Sequence, residues 1–506
     1  MKFNTTTKGK NTILNYEGEK AYTLSPALEL YTAVVTASLS DQFYEKADSK
    51  IERIRNLIAQ NNPEFVAKLA IYTRKQMYLR SVPLVLAVEL AKIHSGDNLV
   101  SRMIAQIIER ADEITELLAY YQIANQRTGT KKLNKLSKQV QKGIALAFNK
   151  FDEYQFAKYN RDTEIKLRDA LFLAHPKAKD ESQQAIFNKI INGELATPYT
   201  WEVELSELGQ NKFESKKAKQ EAFKAKWEEL IESEKMGYMA TLRNLRNFLD
   251  AGVSESHIEK VARYLANPKA VENSQQLPFR FFSAYLELQR VASVHTSKLL
   301  EALENAAQVS AKNIKGFDKN TKALIACDFS GSMQTHVSPK SKVQYFQIGV
   351  VLAMILRNIC SKVLAGIFGS TWKIINLPQG NILANSVQIA NRIGEVGFST
   401  NGYLVIQDLI KKKLELDKVF IFTDCQMWDS IAGNKEHFSD LWNKYKKLVP
   451  TAKLYIFDLA GYGQMPISIP QKDVFLIAGW SDKVFEVLEA IENGENALKM
   501  IEKIEL

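Results

Sequence analysis

A helical repeat array followed by a doubly wound α/β domain is the fold that three observations predict. Over residues 24–311 the apolar positions recur every three or four residues, as in LVSRMIAQIIERADEITELLAYY and WEELIESEKMGYMATLRNLRNFLDAG, the spacing that lines one face of an α-helix. After Lys322 the grammar changes to short apolar runs of strand length separated by helical stretches, the pattern of a parallel sheet covered on both faces. The third observation is size: 506 residues with 46% hydrophobic content exceed what one core usually holds and suffice for two.

The helical stretches are interrupted at NNPE, HSGDN, AHPKAKD, ATPYTW, AGVSES and ANPKAVENSQQLP. Each break carries Gly, Pro, Asn or Ser, so the helices are of ordinary length and joined by short turns. So many helices do not fit one compact bundle, which points to a solenoid of the HEAT type. In the second part, ALIACDF, VLAGIFG, KVFIFTD, KLYIFDL and DVFLIAG are the predicted strands, alternating with helices such as KVQYFQIGVVLAMILRNIC. The predicted domains are therefore 1–320, helical, and 321–506, Rossmann-like α/β, with ligands expected at the carboxyl ends of the strands.

Composition narrows the classes of function. Three cysteines, Cys327, Cys360 and Cys425, without paired spacing indicate neither a disulfide framework nor a zinc site. No apolar run reaches membrane-spanning length, and MKFNTTTKGKNTILNYEG lacks the apolar core of a signal peptide, so a cytoplasmic protein with no membrane association is expected. The net charge of +10 makes nucleic acid a plausible partner. From Thr321 onward 20 Lys and Arg face 18 Asp and Glu, against 47 and 39 before it, so most of the excess belongs to the helical part.

The stretch ALIACDFSGSMQTHV ends a predicted buried strand in small oxygen-bearing side chains. In an extended segment Asp328, Ser330 and Ser332 point the same way, with Gly331 allowing a sharp turn beneath a ligand. One carboxylate and two hydroxyls form a hard ligand set suited to Mg²⁺ or another divalent cation. Two further loops offer Thr400, in VGFSTNGYL, and Asp424, in VFIFTDCQMW. Together these segments resemble the metal-ion-dependent adhesion site of von Willebrand factor A domains, over residues 322–506. The resemblance implies direct or near-direct contacts from Asp328, Ser330 and Ser332, a hydroxyl from Thr400 in some states, Asp424 acting largely through water, and an open position for a partner's carboxylate. Catalysis is not indicated: the chain has no GxxxxGK[ST] loop, no second carboxylate cluster for a two-metal clamp and no G-x-S-x-G elbow. His336 beside the motif reads as a solvent-exposed bystander.

In TGTKKLNKLSKQVQKGIALAF, Lys131, Lys135, Lys138 and Lys142 recur at four, three and four, one stripe if the segment is a single helix. Downstream, Lys158, Arg161, Lys166, Arg168, His175 and Lys177 are interleaved with Tyr154, Phe156 and Tyr159, cations for phosphate and rings for unpaired bases. The segments 72–90, 150–177, 200–207 and 236–253 resemble the TROVE module of the Ro autoantigen family, and with the A-type domain they match that family's architecture over almost the whole chain. The resemblance implies a monomeric ring of HEAT-like helix pairs closed by the A domain. Small noncoding Y RNA would lie on the outer basic surface, with single-stranded 3′ ends of misfolded RNA in the central hole. By it Lys158, Arg161 and His175 lie in the RNA-binding motif, preceded by the 131–142 lysines, while Asp162 places a carboxylate in the basic strip. An exoribonuclease or another acidic protein is the implied partner at the metal site. In LRNLRN, Arg243, Asn244, Arg246 and Asn247 read as pegs between helices in preference to RNA contacts. The rival function is a metal-dependent protein-interaction scaffold with no specific RNA ligand.

Overall fold

Residues expected to open the helical domain instead form a hairpin. In the computed structural model, which describes residues 12–37, 45–127, 136–276, 278–311, 320–338, 341–360, 362–428, 437–469, 473–480, 484–493 and 495–506, β1 (Thr12–Leu14) pairs antiparallel with β2 (Lys20–Thr23), Thr12 opposite Tyr22. The Glu17-Gly18 turn lets Asn15 fold its carboxamide back to accept from the N–H groups of Glu17 and Glu19. The predicted strands all form: β3 (Lys322–Asp328), β4 (Lys362–Phe368), β6 (Lys418–Thr423), β7 (Lys453–Asp458) and β9 (Val474–Ala478). Two more were not foreseen, β5 (Trp372–Ile375) and β8 (Gln464–Met465), the latter pairing with β2. Both are too short for periodicity to register.

The main sheet runs β5-β4-β3-β6-β7-β9, parallel except for β5, so it is mixed where a parallel sheet was expected. Chain order reverses beside β3: β4 lies on one side and β6 on the other. Such a switch point leaves a crevice at the carboxyl ends of the strands. Register brings those ends level, with Asp328 opposite Phe368, Cys327 opposite Phe422, and Thr423 opposite Asp458. Ring stacking fixes the centre, with Phe422 and Phe457 at 4.4 Å and Phe420 and Tyr455 at 5.0 Å. The three cysteines are buried free thiols, as small core residues should be.

Helix Ile382–Ala390 begins at Asn381, whose side chain does not cap it. The cap comes from Glu304, on helix Thr296–Ala311, whose buried carboxylate accepts from Leu383 N at 3.0 Å and from Ala384 N at 3.2 Å. Burial raises the Glu304 pKa and these amide bonds oppose it. Glu304→Ala leaves the amides without an acceptor and is expected to cost about 1–3 kcal/mol in urea unfolding. Glu304→Gln, which keeps an acceptor, should recover most of it.

Compactness divides the chain into one unit of residues 1–53, 241–249 and 258–498, which holds the sheet, and a second of 54–240, 250–257 and 499–506. The division expected at 320/321 marks the change of sequence grammar; compactness instead groups the N-terminal hairpin and the later helices with the sheet, because β2 pairs with β8 and Glu304 caps a helix after β5. In the second unit, helix Pro63–Lys75 packs on Leu99–Ile107, Ser81–Ile93 on Asp112–Ala124, Leu99–Ile107 on Lys138–Phe148, and Lys138–Phe148 on Leu167–Ala174, the habit of stacked helix pairs. Helix Lys138–Phe148 sits close on Leu99–Ile107: a Cβ on Gly143 would lie 2.6 Å from Ile104 Cβ. The two runs quoted for their helical spacing are each split between two helices, 99–121 at residues 108–111 and 227–252 at residues 233–237. Among the described residues no helix is long and apolar enough to cross a membrane.

Candidate functional site

The first site gathers at the carboxyl ends of β3 and β6. Beyond Asp328 the backbone leaves the extended conformation, and Ser332 starts a short 3₁₀ turn, Ser332–Gln334. The three oxygens therefore do not meet by the alternation of a strand. Gly331 also has an ordinary right-handed conformation, φ −62°, and a Cβ there would meet Phe398 O at an ordinary 3.7 Å, so neither a sharp turn nor lack of space requires glycine. The loop is bent by Asp328 Oδ1 accepting from Ser330 N at 2.9 Å, which brings Ser330 Oγ within 3.3 Å of Ser332 Oγ.

Backbone bonds hold the other loops against this one. Gly331 N donates to Phe398 O at 2.8 Å, and Trp428 N to Thr400 O at 2.7 Å, so the Thr400 loop bridges the two strand ends. Asp328, Ser330, Ser332, Thr400 and Asp424 are all buried. Three residues were not singled out. Thr423 Oγ1 donates to Asp328 Oδ2 at 2.6 Å, Gln426 N donates to Asp424 Oδ1 at 3.0 Å, and Asn15 Nδ2 donates to Met427 O at 2.6 Å. The TD pair was a legible signal for Thr423; nothing near residue 15 points to residue 427. Exposed His336 stays outside this network, bridged to Gln344.

Electrostatically the pocket is short of a cation. Burial raises the Asp328 carboxyl to about 6, against the hydrogen bonds from Thr423 and Ser330. Burial and then the Asp328 charge raise Asp424 to about 8, against the nearby Ser332 hydroxyl and Gln426 N–H. Asp424 Oδ2 is buried without a hydrogen-bond partner. An orphaned carboxylate oxygen beside a second carboxylate and two hydroxyls is a donor set that fits a hard divalent cation. Among the described residues no group of three or more His, Cys, Asp or Glu could hold a metal, so the hydroxyls are indispensable to this set.

The second site lies in the other unit. Helix Lys138–Phe148 starts after a Ser137 N-cap, so the expected four-lysine stripe is not one helix. Only Lys138 and Lys142 share that helix face, and Lys131 and Lys135 lie outside the described residues. Gln141 Nε2 donates to Leu173 O at 2.9 Å, fixing this helix against Leu167–Ala174, whose C-cap is the left-handed His175, φ 47°. Lys158 projects from helix Glu153–Tyr159 and Arg161 follows it.

Lys138, Lys142, Lys158, Arg161 and His175 are all exposed. No carboxylate among the described residues pairs with Lys138, Lys142, Lys158 or Arg161; the Lys158 ammonium rests 5.7 Å from the Tyr154 and Tyr159 ring centres. Asp162 is taken up by Lys166 at 2.7 Å, so it does not neutralise Arg161. Phe156 is core, whereas Tyr154 is 43% exposed. In LRNLRN, Asn244 is buried and accepts from Asn247 Nδ2 at 2.7 Å, a bond within one helix, while Arg243 and Arg246 are exposed and Arg246 pairs with Glu287 of helix Pro278–Leu288 at 3.9 Å.

The family model of the TROVE domain matches residues 19–226 and 193–327, together more than half of the chain. Telomerase protein component 1 of Rattus norvegicus is 25% identical over 328 residues, 49% of this chain and 12% of that protein; the Mus musculus protein is 23% identical over 350 residues, 54% and 13%. The chain thus spans about an eighth of the length of these curated relatives. A crystal structure of the Ro (RSR) protein of Deinococcus radiodurans is similar with a TM-score of 0.58 at 17% identity, covering 93% of this chain and 100% of that one, a likeness of fold. On the family match, which covers more than half of its residues, the chain belongs to the TROVE-domain family.

Proposed function

We propose that this chain is a noncatalytic RNA-binding protein of the Ro type. It would hold a small structured RNA on its basic helical surface and single-stranded ends of misfolded RNA in the hole that the family resemblance implies. The observation that carries the reading is the group of exposed cations, Lys138, Lys142, Lys158 and Arg161, left without carboxylate partners while neighbours such as Lys166 and Lys189 are paired. Cations in that state attract phosphate without regard to sequence and with strong salt dependence. RNA partners, in a cytoplasmic setting, follow from this reading.

The functional division runs with the sequence: residues 1–320 for RNA, 321–506 for a metal-dependent contact. Asp328, Ser330, Ser332, Thr400 and Asp424 would hold Mg²⁺ or a similar ion, and the bound ion would supply a cationic position for a partner's carboxylate. Support comes from the orphaned Asp424 oxygen and from Phe398 and Trp428, 56% and 40% exposed, on the loops that frame the site. An acidic protein such as an exoribonuclease is the partner this reading expects. A scaffold without RNA is the second reading, favoured by the same two exposed rings.

Filter binding of a structured small RNA tests the first reading. Lys138→Glu with Lys142→Glu is expected to weaken binding on the order of tenfold and to lower the slope of log affinity against log salt by about 1–2. Unchanged affinity and slope would make that helix face a merely solvated one. A wild-type protein that retains no RNA at low salt would leave the scaffold reading.

A further inference from the structure

We propose that a cleft beside Lys158 receives one unpaired RNA base, an inference that rests on the RNA-binding reading and names a site within it. The cleft, about 70 Å³, is lined by Tyr154, Lys158, Tyr199, Trp201, Lys235 and Met236. These residues come from helix Glu153–Tyr159, the start of helix Trp201–Gln210, and the turn at residues 233–237 that splits the predicted long helix.

The walls are fixed before any ligand arrives. Trp201 stacks on the buried Trp227, ring centres 5.9 Å apart and planes at 25°. Tyr199 Oη donates to Glu229 Oε1 at 3.2 Å, and Tyr154 Oη donates to Tyr199 O at 3.5 Å. Glu153 ties the strand-like stretch before Tyr199 to its helix, accepting from Ala196 N at 3.3 Å while pairing with Lys189 at 2.7 Å. Aromatic walls held this way lose little freedom when a base stacks on them.

The charges around the cleft are sorted unequally. Lys226 is clamped between Glu204 at 3.1 Å and Glu229 at 2.8 Å, and Lys189 by Glu153, which engages three of the carboxylates in this region. Two ammonium groups remain, and among the described residues neither has a carboxylate partner. Lys158 lies over Tyr154, and Lys235 lies over Tyr199 with its ammonium 4.9 Å from the ring centre. A phosphate approaching either lysine draws the ammonium off its ring. The ring face so uncovered is then open to a base. Glu202, exposed at the rim, is placed to accept from an exocyclic amine or a ribose hydroxyl. The cavity is too small to enclose a nucleotide, so the edge of one base enters and the backbone stays outside at the two lysines. Duplex RNA offers no such base, which makes the ligand an unpaired nucleotide in a tail, loop or bulge.

The test uses the full chain and a hairpin with a single-stranded tail carrying 2-aminopurine, moved position by position. One position is expected to lose fluorescence on binding, as stacking requires. Tyr154→Ala, at an exposed position and with its fold checked by circular dichroism, is expected to abolish that quenching. It should also weaken tailed RNA about 5- to 100-fold and leave a fully paired blunt duplex unaffected. Lys235→Ala should lower the salt slope for tailed RNA by about 0.7. Tailed RNA that binds with no position quenched, or with quenching unchanged in Tyr154→Ala, overturns the base pocket and spares the RNA-binding reading. Failure of the wild-type chain to bind either RNA overturns the reading itself and the pocket with it.

Discussion

Reversing Lys158 and Arg161 together, as Lys158→Glu with Arg161→Glu, is expected to reduce affinity for RNA by on the order of 100-fold at moderate salt. Each change removes an attraction to phosphate and adds a repulsion. Neither residue has a carboxylate partner among the described residues, so no ion pair of the fold is broken, and both are exposed. The thermal midpoint should therefore stay within a degree or two of the wild type. The salt slope should fall by about 1–2. Asp162→Ala provides the opposite sign: it frees Lys166 from its 2.7 Å partner and should strengthen binding severalfold at low salt. Measuring all three by fluorescence anisotropy over a salt series separates phosphate contact from a general change in charge. Loss of affinity without a change in slope would place these cations outside the phosphate path.

The second large effect belongs to the buried carboxylate pair and depends on pH. Asp328 and Asp424 have folded pKa values raised above those of the unfolded chain, to about 6 and about 8. The stability they contribute is complete below the unfolded value, about pH 4, and is lost as pH rises through the folded values. In a chelator the thermal midpoint should fall between about pH 5 and about pH 8, by several degrees. Buried Asp458, raised to about 6, adds to the fall with the same sign, so the pair is isolated by comparison with Asp424→Asn. That variant should be more stable than wild type in chelator at about pH 8. Millimolar Mg²⁺ should restore the wild-type midpoint and leave that of Asp424→Asn where it was, since a ligand that binds only the folded state at a hundredfold excess over its Kd adds about 2.7 kcal/mol. A midpoint indifferent to both pH and Mg²⁺ would show that the pair is managed without a metal.

Much of this was readable from residues. Buried parallel strands announce themselves as short apolar runs, and the five predicted ones form because their side chains face helices on both sides. Asp328, Ser330, Ser332, Thr400 and Asp424 were legible because each follows such a run or opens a helix after one. What failed has physical reasons as well. β1 and β2 are brief and half-exposed, and β2 is held by pairing with β8, more than 400 positions away. Lysine spacing looks helical whether or not the backbone is; Lys138 and Lys142 share one helix, and Lys131 and Lys135 lie outside the described residues. The cleft at Tyr199 and Lys235 depends on a turn at 233–237 inside what periodicity reads as one helix. Capping of Ile382–Ala390 by Glu304, from 79 residues earlier, leaves no local trace at all.

The central claim is that the helical unit binds RNA through unpaired cations and favours single-stranded ends. Its most direct test is a fluorescence-anisotropy titration of the wild-type chain with two RNAs, a blunt hairpin and the same hairpin with a single-stranded 3′ tail, over a range of salt with and without Mg²⁺. The account predicts tighter binding of the tailed RNA, falling steeply with salt and nearly independent of Mg²⁺. Negligible binding of both RNAs in every buffer would contradict it.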